Sequence, residues 1–220
     1  MIINRRRVLR WALGASYFGL AGLLPRPLAA MVRPGIREVR GDVRVNGRTA
    51  MMDEILQPGD TLSTAAGGQA IIVVDANAYL LHDMGEIILP EKSPAENILT
   101  VVSGRLLSVF GPGDLTIDTP VATIGIRGTG AYVEVREDRT YVCLCYGWAE
   151  LISKLNPDVS ERQNTVHHNE PRNFYADPAA HGGVYLEPAK MVNHMDEELI
   201  MLEALVGRIP LFGPEPIKMP

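Results

Sequence analysis

The chain has 220 residues, 46% of them hydrophobic and 21% charged, an ordinary globular composition with no biased tract long enough to suggest disorder. Its formal charge is −5, and because the first 30 residues hold five arginines and no acid, the remainder sets 16 basic residues against 26 acidic ones. That balance disfavours a nucleic-acid partner and a strongly anionic membrane surface, since neither would find a basic stripe to meet its phosphates.

Asn4-Arg5-Arg6-Arg7-Val8-Leu9-Arg10 precedes an apolar run from Trp11 to Leu24, and Leu28-Ala29-Ala30 supplies small residues for cleavage. Residues 1–30 therefore read as an export signal of the twin-arginine type, with Arg26 beside the cleavage region suiting that route. The apolar run is shorter than the roughly 17 to 25 residues of a spanning helix, so the expected location is the periplasm after cleavage. An uncleaved segment anchoring the chain in the inner membrane is the alternative.

From Ile36 onward the pattern is strand, turn, strand. Val43-Arg44-Val45 runs into Asn46-Gly47, a strong two-residue hairpin signal, and Pro58-Gly59-Asp60 marks a turn before Thr61 to Thr64. Gln69 to Asp75, Tyr79 to His82, Glu86 to Leu89, Asn97 to Val102 and Arg105 to Phe110 follow as predicted strands, each bounded by Gly, Pro, Asn or Asp. The predicted fold class is mainly β, built of short antiparallel strands, and a sandwich, a barrel and a stacked solenoid all satisfy this spacing.

The stretch from Asp114 to Leu151 is the most informative. Ala131 to Val135 and Thr140 to Tyr146 are rich in β-branched and aromatic residues, with a charged turn from Arg136 to Arg139 between them, which predicts a hairpin. Upstream, Gly125-Ile126-Arg127-Gly128-Thr129-Gly130 is too glycine-rich for a regular strand and predicts a bend or bulge. A phosphate-cradling glycine loop is disfavoured, because a strand rather than a helix follows. Arg127 reads as a structural residue whose guanidinium ties down neighbouring carbonyls at the bend.

After Ser153, Asn156-Pro157 breaks the strand pattern, and residues 153–220 read as a loop-rich tail with at most a short strand from Val184 to Leu186. Asp196 to Val206 is the one convincing helix. Asn193 or Met195 precedes it, acids fill its first turn, and Gly207 follows as a stop. Leu199, Leu202 and Val206 share one face, widened by Ile200 and Leu205, which predicts a helix packed on a sheet of the β domain.

The run TPVATIGIRGTGAYVEV, containing Arg127, Gly128 and Thr129, resembles the core line of the FecR domain family. Gly41-Asp42-Val43, the line from Leu56 to Thr64 and Val102-Ser103-Gly104-Arg105-Leu106 are similar to that family's earlier lines, so the resemblance covers about residues 36–152. It implies a periplasmic all-β module, a twisted solenoid or sandwich, which in the best-known members belongs to a transmembrane regulator of an iron-responsive sigma factor. No stretch before Arg5 is long enough for a sigma-factor-binding domain, and no receptor-docking domain follows the helix. The expectation is thus a stand-alone binding or sensing module of envelope signalling, without anti-sigma activity of its own, acting through contacts with a protein partner in the envelope.

Cys143 and Cys145 are the only cysteines, and on a strand residues two apart face the same side. On a regular strand their Cα atoms lie about 6.6 to 6.8 Å apart, at the upper limit for a disulfide, whereas two thiolates on one face can chelate a soft metal such as zinc or copper. Further ligands would come from His167, His168 and His194, with the adjacent pair His167 and His168 as the stronger candidates because they sit in a polar run that needs a tether. The order C-x-C-Y-G, H-H-x-x-P-R and N-H-x-D-x-E-L, here Cys143 to Gly147, His167 to Arg172 and Asn193 to Leu199, is similar to the tail of a FecR-like subgroup, a resemblance that implies no particular activity. Thiol redox chemistry and inert packing of small side chains remain open readings of the same pair. There is no G-x-S-x-G elbow, H-E-x-x-H helix or P-loop, so neither an enzyme nor a small-molecule substrate is expected.

Overall fold

A computed structural model describes residues 32–91, 97–210 and 212. The export signal predicted over residues 1–30 lies outside the described residues. Fourteen strands form one hydrogen-bonded sheet: β1 (Gly35–Arg40), β2 (Val43–Val45), β3 (Arg48–Thr49), β4 (Thr61–Thr64), β5 (Gln69–Val74), β6 (Asn77–Leu81), β7 (Glu86–Ile88), β8 (Ile98–Val109), β9 (Asp114–Asp118), β10 (Ala122–Val135), β11 (Arg139–Ser153), β12 (Ser160–Thr165), β13 (Arg172–Tyr175) and β14 (Leu186–Pro188). One helix, α1 (Asp196–Leu205), follows. The protein is mainly β, and among the described residues all strand pairings are antiparallel except that of β8 with β9. Among the described residues no helix is long and apolar enough to cross a membrane.

Turn chemistry sets the local structure. Asn46 and Gly47 both take positive φ, which gives the β2–β3 hairpin the twist its strands require, and Arg136 N–H donates to the Arg139 carbonyl to close β10 onto β11. The two predicted strands on either side of Gly104 are instead one, β8. Gly104 has φ +79° and packs so closely on Gly85 that a Cβ there would collide with the Gly85 backbone, so the glycine kinks the strand without ending it.

Three long strands serve both halves of the sheet. The first part of β8 pairs with β7 and β9, and its second part with β6 and β10. β10 likewise pairs with β9 from Thr123 to Arg127 and with β8 from Gly130 onward, and register shifts fall between Arg127 and Ala131 as the glycines predict. The sheet therefore doubles back at these bends. Val43, Leu62, Ile87, Leu99, Ile117 and Ile124 from one half meet Ile72, Tyr79, Leu81, Leu106, Val133 and Leu144 from the other in one buried cluster. Each such side chain contributes about 1.5 to 3 kcal/mol by leaving water.

Alternation sends the intervening residues, Ile71, Val73, Leu80, Leu107, Val109, Tyr132, Tyr141, Cys143 and Cys145, to the outer face of the second half, where they form a second buried cluster with Leu199, Leu202 and Val206 of the helix region. Helix α1 lies on β8 and β6 and ends where predicted, with Gly207 in the left-handed region and its N–H on the Ala204 carbonyl.

The segment predicted as loop departs from that reading, since it supplies β12, β13 and a 3-10 turn at Pro178–His181, and the short strand falls at Leu186–Pro188. β12 reads Ser-Glu-Arg-Gln-Asn-Thr, a polar edge strand with only Gln163 and Thr165 buried, so it carries no hydrophobic alternation to recognise. Its partner strand, rather than its own sequence, makes it a strand.

Candidate metal centre

Cys143 and Cys145 sit where β11 is irregular. Tyr132 of β10 opposes Cys143 and Ala131 opposes Leu144, but Gly130 opposes Tyr146, so Cys145 is the extra residue of a β-bulge. Gly130 permits this because a side chain there would overlap the Tyr146 ring. Both thiols are free and fully buried.

Along the other edge of β11, β12 pairs with Gly147 to Ile152 and β13 with Arg139 to Val142, which leaves the edge between them to the connecting loop. That loop closes the gap with its own backbone. His168, at φ +47°, donates its N–H to the Cys145 carbonyl at 2.9 Å, and the Thr165 hydroxyl donates to the Leu144 carbonyl at 3.0 Å. The imidazole of His168 is thereby held over Cys143, with Nδ1 3.4 Å from Sγ.

His194 arrives from the segment before α1. The Tyr141 hydroxyl donates to the Lys190 carbonyl, and the Asn193 amide, in a left-handed turn, donates to Glu134 at 2.9 Å. The His194 ring then stacks on Tyr132, with centroids 4.4 Å apart and planes 12° from parallel. One ligand atom from each of Cys143, Cys145, His168 and His194 lies within 4.8 Å of all the others.

The outer nitrogens fix the tautomers. His168 Nε2 is 2.9 Å from Asp196 Oδ1, and His194 Nδ1 is 2.7 Å from the Val192 carbonyl. An ionised carboxylate and a carbonyl can only accept, so both rings donate outward, and a neutral ring then has a bare lone pair on its inner nitrogen. Those inner nitrogens, His168 Nδ1 and His194 Nε2, face each other at 3.1 Å. Two acceptors at that distance repel unless a cation lies between them, either a proton or a metal ion.

The thiols are electrostatically unlike. The Cys145 thiol, with further support from His168 and His194, outweighs burial and holds Cys143 well below the usual thiol range, whereas burial and the neighbouring Cys143 sulfur push Cys145 well up. Burial opposes charge on His168, but the Cys143 sulfur and Asp196 prevail and raise its pKa. These directions favour a thiolate on Cys143, a proton on His168 and a proton kept by Cys145. A divalent ion can replace these protons.

His167 is not among the four. It points outward, half exposed, with Nε2 2.8 Å from Asp196 Oδ2, and its ring lies against Phe212. Asp196, the first residue of α1, therefore holds both adjacent histidines; in the sequence it stands in the helix's acidic first turn and in the N-H-x-D-x-E-L line, with no role attached to it. Arg127, Gly128 and Thr129 lie at the bend of β10 and are not among the clustered ligands: Thr129 is buried, and Arg127 pairs with Asp114 at 2.7 Å and covers the Trp148 ring at 5.4 Å. Among the described residues its guanidinium thus engages a carboxylate and an aromatic face, where the sequence predicts bonds to neighbouring carbonyls.

Fold and site together define a mainly β protein with a buried cluster of two cysteines and two histidines between its sheet and its C-terminal segment. No protein-family model matches the chain, and no curated protein matches it. Among solved structures it is similar to two crystal structures from Parabacteroides distasonis, both provisionally described as an anti-sigma factor, with TM-scores of 0.48 and 0.47 and 14% sequence identity. Each match covers 65% of this chain and 64% of the other, just under two thirds of its length.

Proposed function

We propose that this chain binds one soft or borderline divalent ion, zinc foremost, through Cys143, Cys145, His168 and His194. The observation that carries the reading is the pair of inner imidazole nitrogens 3.1 Å apart, with both outer nitrogens already committed and two sulfurs converging on the same point. Zinc bonds of about 2.3 Å to sulfur and 2.0 to 2.1 Å to nitrogen imply tetrahedral edges of about 3.3 to 3.8 Å, and the separations of 3.1 and 3.4 Å need only slight expansion. Two thiolates balance the charge of the ion. Four protein ligands leave no open position for water or substrate, which suits a structural or sensing ion and not a catalytic one.

Titration with Co2+ as a spectroscopic stand-in tests this. Thiolate-to-cobalt charge transfer saturating at one ion per chain is expected, lost in Cys143→Ser while the β-sheet circular dichroism persists. Absence of the band in the reduced protein sinks the reading.

A second reading concerns the setting of this site. The FecR-like line spans β10, and its bend leaves Arg127 exposed beside Trp148, so the chain is proposed to be an exported envelope module that also contacts a protein partner. Fractionation of cells and cross-linking in the periplasm test it; recovery in the cytoplasm, or no cross-linked partner, tells against it.

A further inference from the structure

Asp196 occupies a position that the four proposed ligands do not explain. It is the first residue of α1, and its carboxylate accepts from the outer nitrogen of His168, whose inner nitrogen faces the thiols. His194 lies two residues before it, in the segment that leads into the helix. A single imidazole thus touches the proposed ion on one side and the start of the helix on the other.

We infer that the ion acts as a latch for helix α1, with Asp196 as the positioning residue that couples metal occupancy to helix docking. The inference rests on the metal-binding reading and adds a regulation to it. The ligands come from three places: β11, the loop between β12 and β13, and the segment before α1. An ion bound there would join all three at one point. The other ties, His194 stacked on Tyr132, Asn193 on Glu134 and Asp196 on His168, each link only two of the neighbouring segments.

What the latch holds is substantial. Leu199, Leu202 and Val206 cover Leu80, Leu107 and Val109, all of which are buried. At the far end of the helix Glu203 accepts from the Tyr146 hydroxyl and pairs with Arg208 at 2.6 Å, so a second tether remains when the ion leaves. The helix therefore opens from its N-terminal end, where Asp196 and His194 are. A carboxylate on the outer nitrogen of a ligating histidine also orients the ring and raises its basicity, and removing such a partner typically costs about 10- to 100-fold in affinity.

The test follows hydrogen exchange of the α1 amides in the full chain at graded free Zn2+, alongside Co2+ charge transfer as an independent reading of the site. If opening α1 destroys the site, exchange slows in proportion to free ion above Kd, about 100-fold at 100 times Kd. Asp196→Asn, close in size, is expected to bind about 10- to 100-fold more weakly and, compared at equal multiples of its own Kd, to protect the helix less. A normal cobalt band with metal-independent exchange overturns the latch and leaves the metal site standing. Full protection in Asp196→Asn at matched saturation shows that the coupling bypasses Asp196 and likewise overturns the inference. Failure of the cobalt band defeats both the site and the latch.

Discussion

His168 and His194 meet through their inner nitrogens at 3.1 Å while each ring's outer nitrogen donates elsewhere, to Asp196 and to the Val192 carbonyl. The residues thus oppose two lone pairs beside two buried sulfurs. Their separation in sequence, with β13 and β14 between them, means that only the folded chain forms the pair.

That geometry distinguishes the adjacent histidines. His168→Ala and His194→Ala are each expected to lower metal affinity by more than the 10- to 100-fold typical of a supporting residue, because each removes a ligand. His167→Ala, which removes an exposed partner of Asp196, should stay within about tenfold. Competition against a chelator of known affinity measures all three, and equal effects of His167→Ala and His168→Ala would contradict the assignment.

The kink of β8 gives a prediction about the fold alone. Gly104→Ala places a Cβ against the Gly85 backbone at φ +79°, where an L side chain is strained, and should destabilise the chain by about 1 to 3 kcal/mol. Urea denaturation of the metal-free protein reads this out, and an unchanged midpoint would mean that the strand relaxes around the new methyl.

Leu202→Ala probes the contact between helix and sheet. Leu202 is fully buried against the outer cluster, so truncation should cost about 2 to 5 kcal/mol, concentrated in docking of α1. Hydrogen exchange of the helix amides should rise far more than that of β10. A uniform rise would show that helix and sheet unfold as one unit.

Acid stability should depend on the clasp between β12 and β13. Arg172 donates from Nε and Nη2 to the two carboxylate oxygens of Glu161, at 2.8 and 2.6 Å. Burial alone would raise the Glu161 pKa, but Arg172 and Gln163 overcome it and hold the group below its ordinary 4.5. A depressed folded-state value means that this stabilisation is complete above the unfolded pKa and is lost as pH falls through the lower folded value. Metal-free protein should therefore lose stability below about pH 4.5, and Glu161→Gln should be less stable at neutral pH yet show a flatter acid limb. Parallel pH profiles for the two proteins would remove Glu161 from the account.

The strands from Val43 to Leu89, the β10–β11 hairpin, the glycine bend and the helix were legible in the chain, because each is written in local terms: alternation, turn residues, or an apolar face at helical spacing, whereas the continuity of β8 through Gly104 was not. So was the shared side of Cys143 and Cys145, which needs only the two-residue period of a strand, although the bulge at Cys145 was not. β12 escaped because a polar edge strand takes its conformation from the neighbour it pairs with, and β13 because four residues are too short to show a period; each is set by its pairing with one end of β11. The choice between His167 and His168 escaped for the same reason. Adjacent residues in a loop have no fixed period, and only the pairing of β12 and β13 on either side of Cys143 to Tyr146, with His168 N–H on the Cys145 carbonyl, turns one ring to the sulfurs and the other to solvent. Local sequence thus determined the sheet and offered the ligands, whereas the tertiary pairing of distant strands and the docking of α1 decided which of them meet, since side chains so far apart along the chain converge only through the backbone hydrogen bonds of the folded sheet.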